Sequence, residues 1–218
     1  MKLSFPDSCD GTKRARGRPA VRETVDPDTL LHTAQQVFAR HGYEAASVRE
    51  IARTAGVDAA LIAHRFGSKQ ELWTAIIDRI AQRAEPMVEA TRKLASEPMA
   101  PRERVERALA LFVDRVIGEP DLGLFFSTAA LEDGERLDLL VERVMRPYYR
   151  VLTPLLAAAM DAGEMARHDP MVMSMMLLNG ITKTVSYSHL LGRFSSLPQR
   201  PRAFRKSVLG IALSMLGR

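Results

Sequence analysis

Hydrophobic residues recur every three or four positions along most of this chain, with polar residues between them, as in amphipathic helices. The first such segment begins at Asp26-Pro27-Asp28, where a capping residue precedes a proline suited to a first helical turn. It is predicted to end at Gly42, and its apolar positions are Leu30, Leu31, Ala34, Val37 and Phe38. Because runs of β-branched residues are scarce, the pattern predicts an all-α protein.

The second half of the chain continues this pattern in longer stretches. Helices or shorter apolar elements are predicted over 101–118, 122–131, 169–191 and 198–216. The pattern over 135–162 should be kinked or broken at Pro147 and Pro154, because proline has no N–H to donate inside a helix. The helix that starts at Ser68 is predicted either to end near Arg83 or to continue past Pro86.

Residues 47–73 contain helix-starting signals at close intervals. Ser47 with Glu50 and Ser68 with Glu71 have the spacing of capping boxes, in which each side chain accepts a hydrogen bond from the backbone N–H of the other residue. Asp58 can cap a helix that lies between these two. The spacing therefore predicts three short helices in quick succession.

A turn at Gly56 joins the first two of these helices, since glycine readily adopts the positive φ that ends a helix. Six apolar residues are spaced to form one small core: Ile51, Ala52, Val57, Ile62, Phe66 and Leu72. Two helices joined by such a turn over a shared core are typical of the helix-turn-helix, which reads the major groove of DNA.

Over roughly residues 26–80 the chain resembles the TetR family of bacterial transcriptional regulators. The resemblance lies in the opening helix, the Ser47-capped helix, the Gly56-Val57 turn, the helix over 58–66 and the step Phe66-Gly67-Ser68-Lys69. It implies an N-terminal three-helix DNA-binding domain followed by a helical domain for effector binding and dimerisation. With the composition, it divides the chain into a basic arm (1–24), a helix-turn-helix domain (25–80) and a ligand-binding and dimerisation domain (81–218).

The candidate DNA contacts lie on the recognition helix, which is the predicted helix over 58–66, and at the starts of the two helices on either side of it in the sequence. On the recognition helix the outward positions expected to face DNA are Asp58, Ala59, Ala60, Ala63, His64 and Arg65. The resemblance implies that Arg49 reaches a base and that Ser47 and Lys69 hold phosphates. Ala63 departs from the family, where a tyrosine commonly holds a phosphate, and Arg65 is a candidate to replace that contact. Three alanines also indicate readout through thymine methyl groups and DNA shape.

The arm is a second candidate DNA contact. The chain carries a net charge of +5, and five positive residues without a negative one lie between Lys13 and Arg22. Arg16 and Arg18 belong to the sequence Arg-Gly-Arg-Pro, which is slim enough to enter an A/T-rich minor groove. A solvated tail that adds only general electrostatic attraction is the equal alternative.

The last helix carries an apolar stripe that predicts a dimer interface, formed by Phe204, Val208, Ile211, Ala212 and Met215. Such a stripe could instead belong to the core of one chain. With the family resemblance, the preferred interpretation is a four-helix interface in a homodimer, made by residues 169–191 and 201–216 of each chain.

An effector site is predicted in the second half from polar groups on an otherwise apolar helix and from flexible methionines. The candidates are Tyr148, Met175, Asn179, Thr182 and Lys183. Six of the eleven methionines fall between Met160 and Met176, although ordinary packing is the preferred explanation for most of them.

Other classes of function lack the residues that they need. The five histidines make no metal-ligand set, Gly67-Ser68-Lys69 lacks the glycine spacing of a nucleotide loop, and no nucleophile elbow occurs. We therefore expect no enzyme, cofactor, metal or membrane span, and a cytoplasmic protein on the bacterial nucleoid.

The predicted function is a repressor of a palindromic double-stranded DNA operator, released by a small apolar or amphipathic effector. The alternatives are an architectural DNA-binding protein without an effector and a regulator controlled by a protein partner.

Overall fold

The computed structural model describes residues 26–217, which contain helices and no strand, as predicted. The α-helices are α1 Pro27–Ala45, α2 Val48–Ala55, α3 Ala59–Phe66, α4 Lys69–Leu94, α5 Pro101–Gly118, α6 Asp121–Ala129, α7 Glu135–Leu140, α8 Arg146–Asp161, α9 Pro170–Ser186, α10 Ser188–Leu191 and α11 Pro201–Ser214. A π-helical turn, Val141–Met145, joins α7 to α8, and a 3-10 turn, Leu197–Gln199, precedes α11.

The capping box predicted at the start of α4 is confirmed. The Ser68 hydroxyl accepts from the Glu71 N–H at 3.2 Å, and the Glu71 carboxylate accepts from the Ser68 N–H at 2.7 Å. These hydrogen bonds hold the pKa of Glu71 below its usual value. Ser68 and Glu71 therefore each satisfy the backbone N–H of the other at the start of α4.

The box predicted at Ser47 forms only in part. The Ser47 hydroxyl accepts from the Glu50 N–H at 3.1 Å, but the Glu50 carboxylate lies 3.4 Å from His41 Nε2. The side chain that would complete the box thus contacts the end of α1 instead. Asp58 caps α3 as predicted, since its Oδ1 accepts from the Ala60 N–H at 2.9 Å.

Two glycines turn the chain where the sequence predicts it. Gly42 has φ 75° and interrupts α1 near its end, and Gly56 has φ 68° and ψ 26° and ends α2. Left-handed conformations of this kind cost little for glycine and more for any residue with a Cβ.

The prolines of the second half act differently from one another. The π-helical turn lies immediately before Pro147, which cannot supply the N–H that a regular helix would require there. By contrast, α8 continues through Pro154 and α4 continues through Pro86, so neither of these prolines ends its helix. The helix predicted over 169–191 is also divided, because α9 ends at Ser186 and α10 follows.

The helix-turn-helix shares its core with the second half of the chain. Trp73 of α4, at 1% exposure, packs as predicted beneath helices α1–α3, which together are called the reading head. The centroid of its ring lies 5.2 Å from that of Phe38 and 5.4 Å from that of Tyr43. Phe125 of α6 lies 5.0 Å away on the same core, together with Leu140. Helix α4 crosses residue 80, where the sequence suggests a domain border.

A second core lies between the C-terminal part of α4 and helices α5, α8, α9 and α11. It buries Leu109, Leu152, Leu156, Leu177 and Val208 among others. No helix in the described range 26–217 is both long enough and apolar enough to cross a lipid bilayer.

Candidate DNA-reading surface and apolar cavity

Helix α3 presents the outer face of the helix-turn-helix. Ala60, Ala63, His64 and Arg65 are exposed, while Ile62 is buried in the shared core. Ala59 differs from the prediction, because it is only partly exposed and packs against that core. The cause is its position at the first turn, where α3 lies directly against the preceding helix.

Ser47 and Arg49 are both exposed at the start of α2, beside the recognition helix. The Ser47 hydroxyl is engaged with the Glu50 N–H, so this helix start is already capped. Arg16 and Arg18 lie outside the described residues.

Lys69 contacts the end of α1 as well as beginning α4. Its Nζ donates to the Glu44 carbonyl at 3.2 Å and lies 4.3 Å from the centroid of the Tyr43 ring. Arg136 lies 4.1 Å from the same ring, so two cations contact one aromatic side chain. Lys69 therefore joins the helix-turn-helix to α1, in addition to any contact that it makes with DNA.

A cavity of about 210 Å³ lies inside the second half. Its wall is largely apolar and comes from α4, α5, α6, the α7–α8 region and α9. Ile80, Phe112, Leu122, Phe126 and Val144 are among the lining side chains. Pockets lined in this way, with a few polar groups, are suited to small apolar or amphipathic molecules.

Four of the five predicted effector residues line this cavity: Tyr148, Asn179, Thr182 and Lys183. Met175 does not; it is 45% exposed on the outer side of α9. Met175 shares a helical face with Asn179 and Thr182, but it lies nearer the start of α9, before residues 178–183 that line the cavity. The methionines that do line the cavity are Met87 and Met145, outside the predicted cluster.

Two of the polar lining groups are already paired. The Tyr148 hydroxyl donates to the Ala108 carbonyl at 3.2 Å, and burial raises the pKa of this tyrosine. Asn179 Nδ2 donates to the Met175 carbonyl at 2.9 Å, within α9. These hydrogen bonds fix the two side chains in the wall; Asn179 keeps a second N–H and its Oδ1, and the Tyr148 hydroxyl can still accept.

Arg115 is a lining residue that the sequence did not indicate. It lies on α5 at a position that reads as part of the polar face of an amphipathic helix. In the structure its side chain is only 14% exposed, and its Nη1 lies 2.8 Å from the Glu119 carboxylate. The signal that would find it is tertiary, since its side chain becomes a wall of the cavity only when residues of α4, α6 and α9 come together with α5.

The predicted dimer stripe on α11 divides between two environments. Phe204, Val208 and Ala212 are buried in the second core of the same chain, so for them the alternative interpretation as core is correct. Ile211 and Met215 are exposed by 61% and 46%. A stripe of this width wraps far enough around the helix to serve both an inner and an outer contact.

The exposed part of α11 has a counterpart on α9. Met171, Val172, Met175 and Met176 are exposed along α9. Each helix also has an exposed glycine, Gly180 or Gly210, at which an added Cβ would meet no atom within 4 Å. The two helices thus present apolar side chains together with positions where another backbone could approach closely.

Among residues 26–217, no group of three or more His, Cys, Asp or Glu side chains could hold a metal ion.

Comparison with known proteins gives a consistent result. The sequence profile described as "Bacterial regulatory proteins, tetR family" matches residues 30–76. The regulator BetI of Rhizobium meliloti is 31% identical over 149 residues, which cover 66% of this chain and 72% of BetI. The repressor ComR of Escherichia coli is 36% identical over 77 residues, and this match spans only 35% of either protein.

Among solved structures, FadR from Bacillus subtilis, in complex with stearoyl-CoA, superposes with a TM-score of 0.61. It is 20% identical in sequence, and the match covers 87% of this chain and 98% of FadR. At this level of identity the similarity shows the fold alone.

Proposed function

Because this chain belongs to the TetR family of bacterial regulatory proteins, and is thus a DNA-binding transcriptional regulator and not an enzyme, we propose that it acts as an effector-controlled repressor. In this proposal a homodimer occupies a palindromic operator in the cytoplasm, on the bacterial nucleoid. A small apolar or amphipathic molecule enters the cavity and lowers the affinity for the operator. The cavity itself is the observation that carries the proposal.

The exposed faces of α9 and α11 support the dimer. Two copies of each helix would bury Met176, Ile211 and Met215, and Gly180 and Gly210 would allow the backbones to approach. A two-fold axis through this interface repeats the reading head, so the two α3 helices would enter major grooves about 34 Å apart or somewhat more. A palindromic operator follows from that symmetry.

Two kinds of contact are assigned on the reading head. Arg49, exposed beside α3, contacts a base, and guanine is the best match because its O6 and N7 can accept from two N–H groups of the guanidinium. Ser47 and Lys69 hold phosphates, and Ala60, Ala63 and His64 approach the base edges. Ala59 contributes its partly exposed surface at the start of α3, and Arg65 supports the phosphate contact where Ala63 lacks a hydroxyl. Arg16 and Arg18 of the arm are proposed to add a minor-groove contact.

Substitutions at Arg49 and Lys69 test these roles on a fragment selected by the protein from random DNA. Arg49→Ala should reduce discrimination between the selected and a scrambled sequence by about 1–3 kcal/mol. Lys69→Ala should weaken binding to both sequences alike and flatten the salt dependence. An equal loss of discrimination in both variants would overturn the assignment of roles.

Helix α6 offers a connection between the cavity and the reading head. Its residues Gly123 and Ser127 line the cavity, and its other side packs against α1. The Thr128 hydroxyl donates to the Ala39 carbonyl at 2.9 Å, and Gln36 of α1 donates to Asp121 at 2.8 Å. A ligand that favours a different position of α6 would therefore also favour a different position of α1.

The cavity favours an effector over control by a protein partner, since the latter predicts a filled core at this place. The complex of FadR from Bacillus subtilis with stearoyl-CoA adds support for an amphipathic ligand. None of the described features specifically favours the architectural alternative.

A substitution that fills the cavity tests the effector proposal. Ala84 lines the cavity on α4, so Ala84→Phe should reduce operator release by any active compound at least about tenfold while operator binding persists. The compounds are a panel of long-chain acids, alcohols and aromatic molecules, and release is followed by fluorescence anisotropy. Gln82→Phe places the same ring on the exposed side of α4 and is the control. Equal responses of both variants would refute the cavity as the effector site.

A further inference from the structure

The charged residues that line the cavity are Arg115 and Lys183, and both are cations. The other lining side chains are apolar or neutral. A cation placed in an apolar wall is costly unless an anion compensates its charge. The two residues differ in how far the protein itself supplies such partners.

Lys183 has partners on the protein. Its Nζ donates to the Ser127 hydroxyl and lies 5.4 Å from the centroid of the Tyr187 ring. The side chain is also exposed, so water can solvate the ammonium group. Its charge therefore needs no ligand.

Arg115 is incompletely paired. Its Nη1 contacts Glu119 at 2.8 Å, but its Nε and Nη2 are buried and have no hydrogen-bond partner among the described residues. Buried guanidinium donors without acceptors are rare, since each loses its hydration without replacement. Nε and Nη2 lie on the same edge of the planar guanidinium, where the two oxygens of one carboxylate can accept together.

The charge of Arg115 is also only partly balanced. The same Glu119 oxygen accepts from Arg83 Nε at 2.8 Å, so one carboxylate serves two guanidinium groups. Burial raises the pKa of Glu119, but the hydrogen bonds and charges of Arg115 and Arg83 outweigh it and hold that pKa below its usual value. Asp121, the nearby acid on α6, accepts instead from Gln36. A second anion beside Arg115 would complete its pairing.

We infer that Arg115 is the anion-recognition residue of the cavity and that the effector is an apolar molecule bearing a carboxylate. This inference rests on the proposed function of the cavity. The apolar part of the ligand packs against Phe112 and Phe126, and its two carboxylate oxygens accept from Arg115 Nε and Nη2. Because neighbouring side chains cover both atoms, the oxygens reach them only as the long Arg115 side chain turns toward the cavity that it lines.

The binding of dodecanoate and dodecanol to the purified full chain tests this inference, since the two differ in the head group. Displacement of the neutral dye Nile red gives both dissociation constants. The wild-type protein should bind dodecanoate at least about tenfold more tightly than dodecanol, as expected for two charge-assisted hydrogen bonds between the guanidinium and the carboxylate. In Arg115→Met the preference should reverse, because a carboxylate in an apolar wall loses hydration without compensation.

Arg107→Met is the control, since it removes an exposed arginine of the same helix that pairs with Glu103 outside the cavity. It should leave both dissociation constants unchanged. Arg115→Gln, which keeps a polar side chain, provides a second variant should the methionine protein fail to fold; it should retain dodecanol binding and lose the preference for dodecanoate.

The outcomes distinguish this inference from the proposal beneath it. Equal binding of the two probes to the wild-type protein, blocked by Ala84→Phe, would leave the cavity as the effector site and refute the anion claim. A preference that survives Arg115→Met but is lost in Lys183→Met would place the anion at α9 and also refute it. If neither probe binds and neither displaces the dye, both the carboxylate inference and the cavity's proposed role in binding such chains are wrong.

Discussion

The DNA-reading surface faces outward from helices that are neighbours in the sequence, whereas the cavity is enclosed by side chains drawn from residues 80 to 183. In the first region, caps at Ser47, Asp58 and Ser68 fix each helix start within a few residues. In the second, five separate parts of the chain must pack before a wall exists. Local hydrogen bonds therefore define the reading head, and tertiary packing defines the cavity.

The two regions nevertheless share a structural support. Trp73 packs against Phe38 and Tyr43 of the reading head and against Phe125 of α6, which is the helix that also lines the cavity. The difference in construction thus does not make them independent. A change at their common core should affect both, and a change at a cap should affect only one.

The largest expected effect is that of Trp73→Ala. Loss of the buried ring should lower the free energy of unfolding by about 3–5 kcal/mol, and more than Trp73→Phe, which keeps an aromatic ring. Denaturant unfolding followed by circular dichroism measures both variants. In the wild-type protein, Trp73 fluorescence and circular dichroism should give one coincident transition. Two separate transitions would show that the reading head unfolds without the second half.

Gly123→Ala tests the packing of α6 against α9. An added Cβ would lie 2.1 Å from Ser186 Oγ and 2.6 Å from Thr182 Cγ2, so these side chains or the helices that carry them must shift. We expect a loss of about 1–3 kcal/mol in unfolding free energy, with altered effector response. Gly118→Ala is the matched control, because a Cβ there meets nothing within 4 Å. Similar stability of the two variants would contradict the close packing at Gly123.

The two serine caps separate stability from DNA binding. Ser68→Ala removes the hydroxyl that accepts from the Glu71 N–H and leaves the reciprocal bond, from the Ser68 N–H to the Glu71 carboxylate, without its counterpart; it should cost about 1 kcal/mol of stability. Ser47→Ala removes a single cap and should cost less, but it should also weaken binding to DNA through the lost phosphate contact. Thermal unfolding and anisotropy titrations of both variants measure these effects. A larger loss of DNA affinity in Ser68→Ala would contradict the assignment.

The smallest expected effect concerns pH. Arg205 of α11 donates to the Asp114 carboxylate of α5 at 2.8 Å, and this hydrogen bond holds the pKa of Asp114 below its ordinary value of 3.8. Because the folded pKa is the lower one, the stabilisation is complete well above 3.8 and is lost as the pH falls through the folded pKa. Asp114→Asn should therefore show a slightly shallower loss of stability between about pH 5 and pH 2. Identical acid profiles would contradict the pairing.

The sequence predicted those features that depend on near neighbours. Asp58, Gly56 and Ser68 act where their chemistry places them, and the helical content follows from the spacing of apolar residues. The division of the α11 stripe could not be predicted, because helical spacing alone does not say which part of a wide apolar face turns inward. Val208 and Ile211 are three residues apart, yet one is buried and the other exposed.

The residues that line the cavity were still harder to predict, because the lining depends on tertiary structure. The polar residues Asn179 and Lys183 could be recognised because they interrupt an apolar helix. Arg115 could not, because its neighbours on α5 form an ordinary amphipathic pattern and its burial results from the later helices that cover it. Met175 was misplaced because the spacing of residues shows which face of α9 they share, and not how far along α9 the cavity extends.

Capture of genomic DNA fragments by the purified protein, at about 0.15 M salt, tests the role of the reading head most directly. The wild-type protein should recover a few sharp peaks centred on inverted repeats, and Arg49→Ala should lose those peaks while keeping general affinity for DNA. Diffuse recovery of A/T-rich fragments, unchanged by Arg49→Ala, would contradict a sequence-specific repressor. It would make the basic arm the main DNA contact.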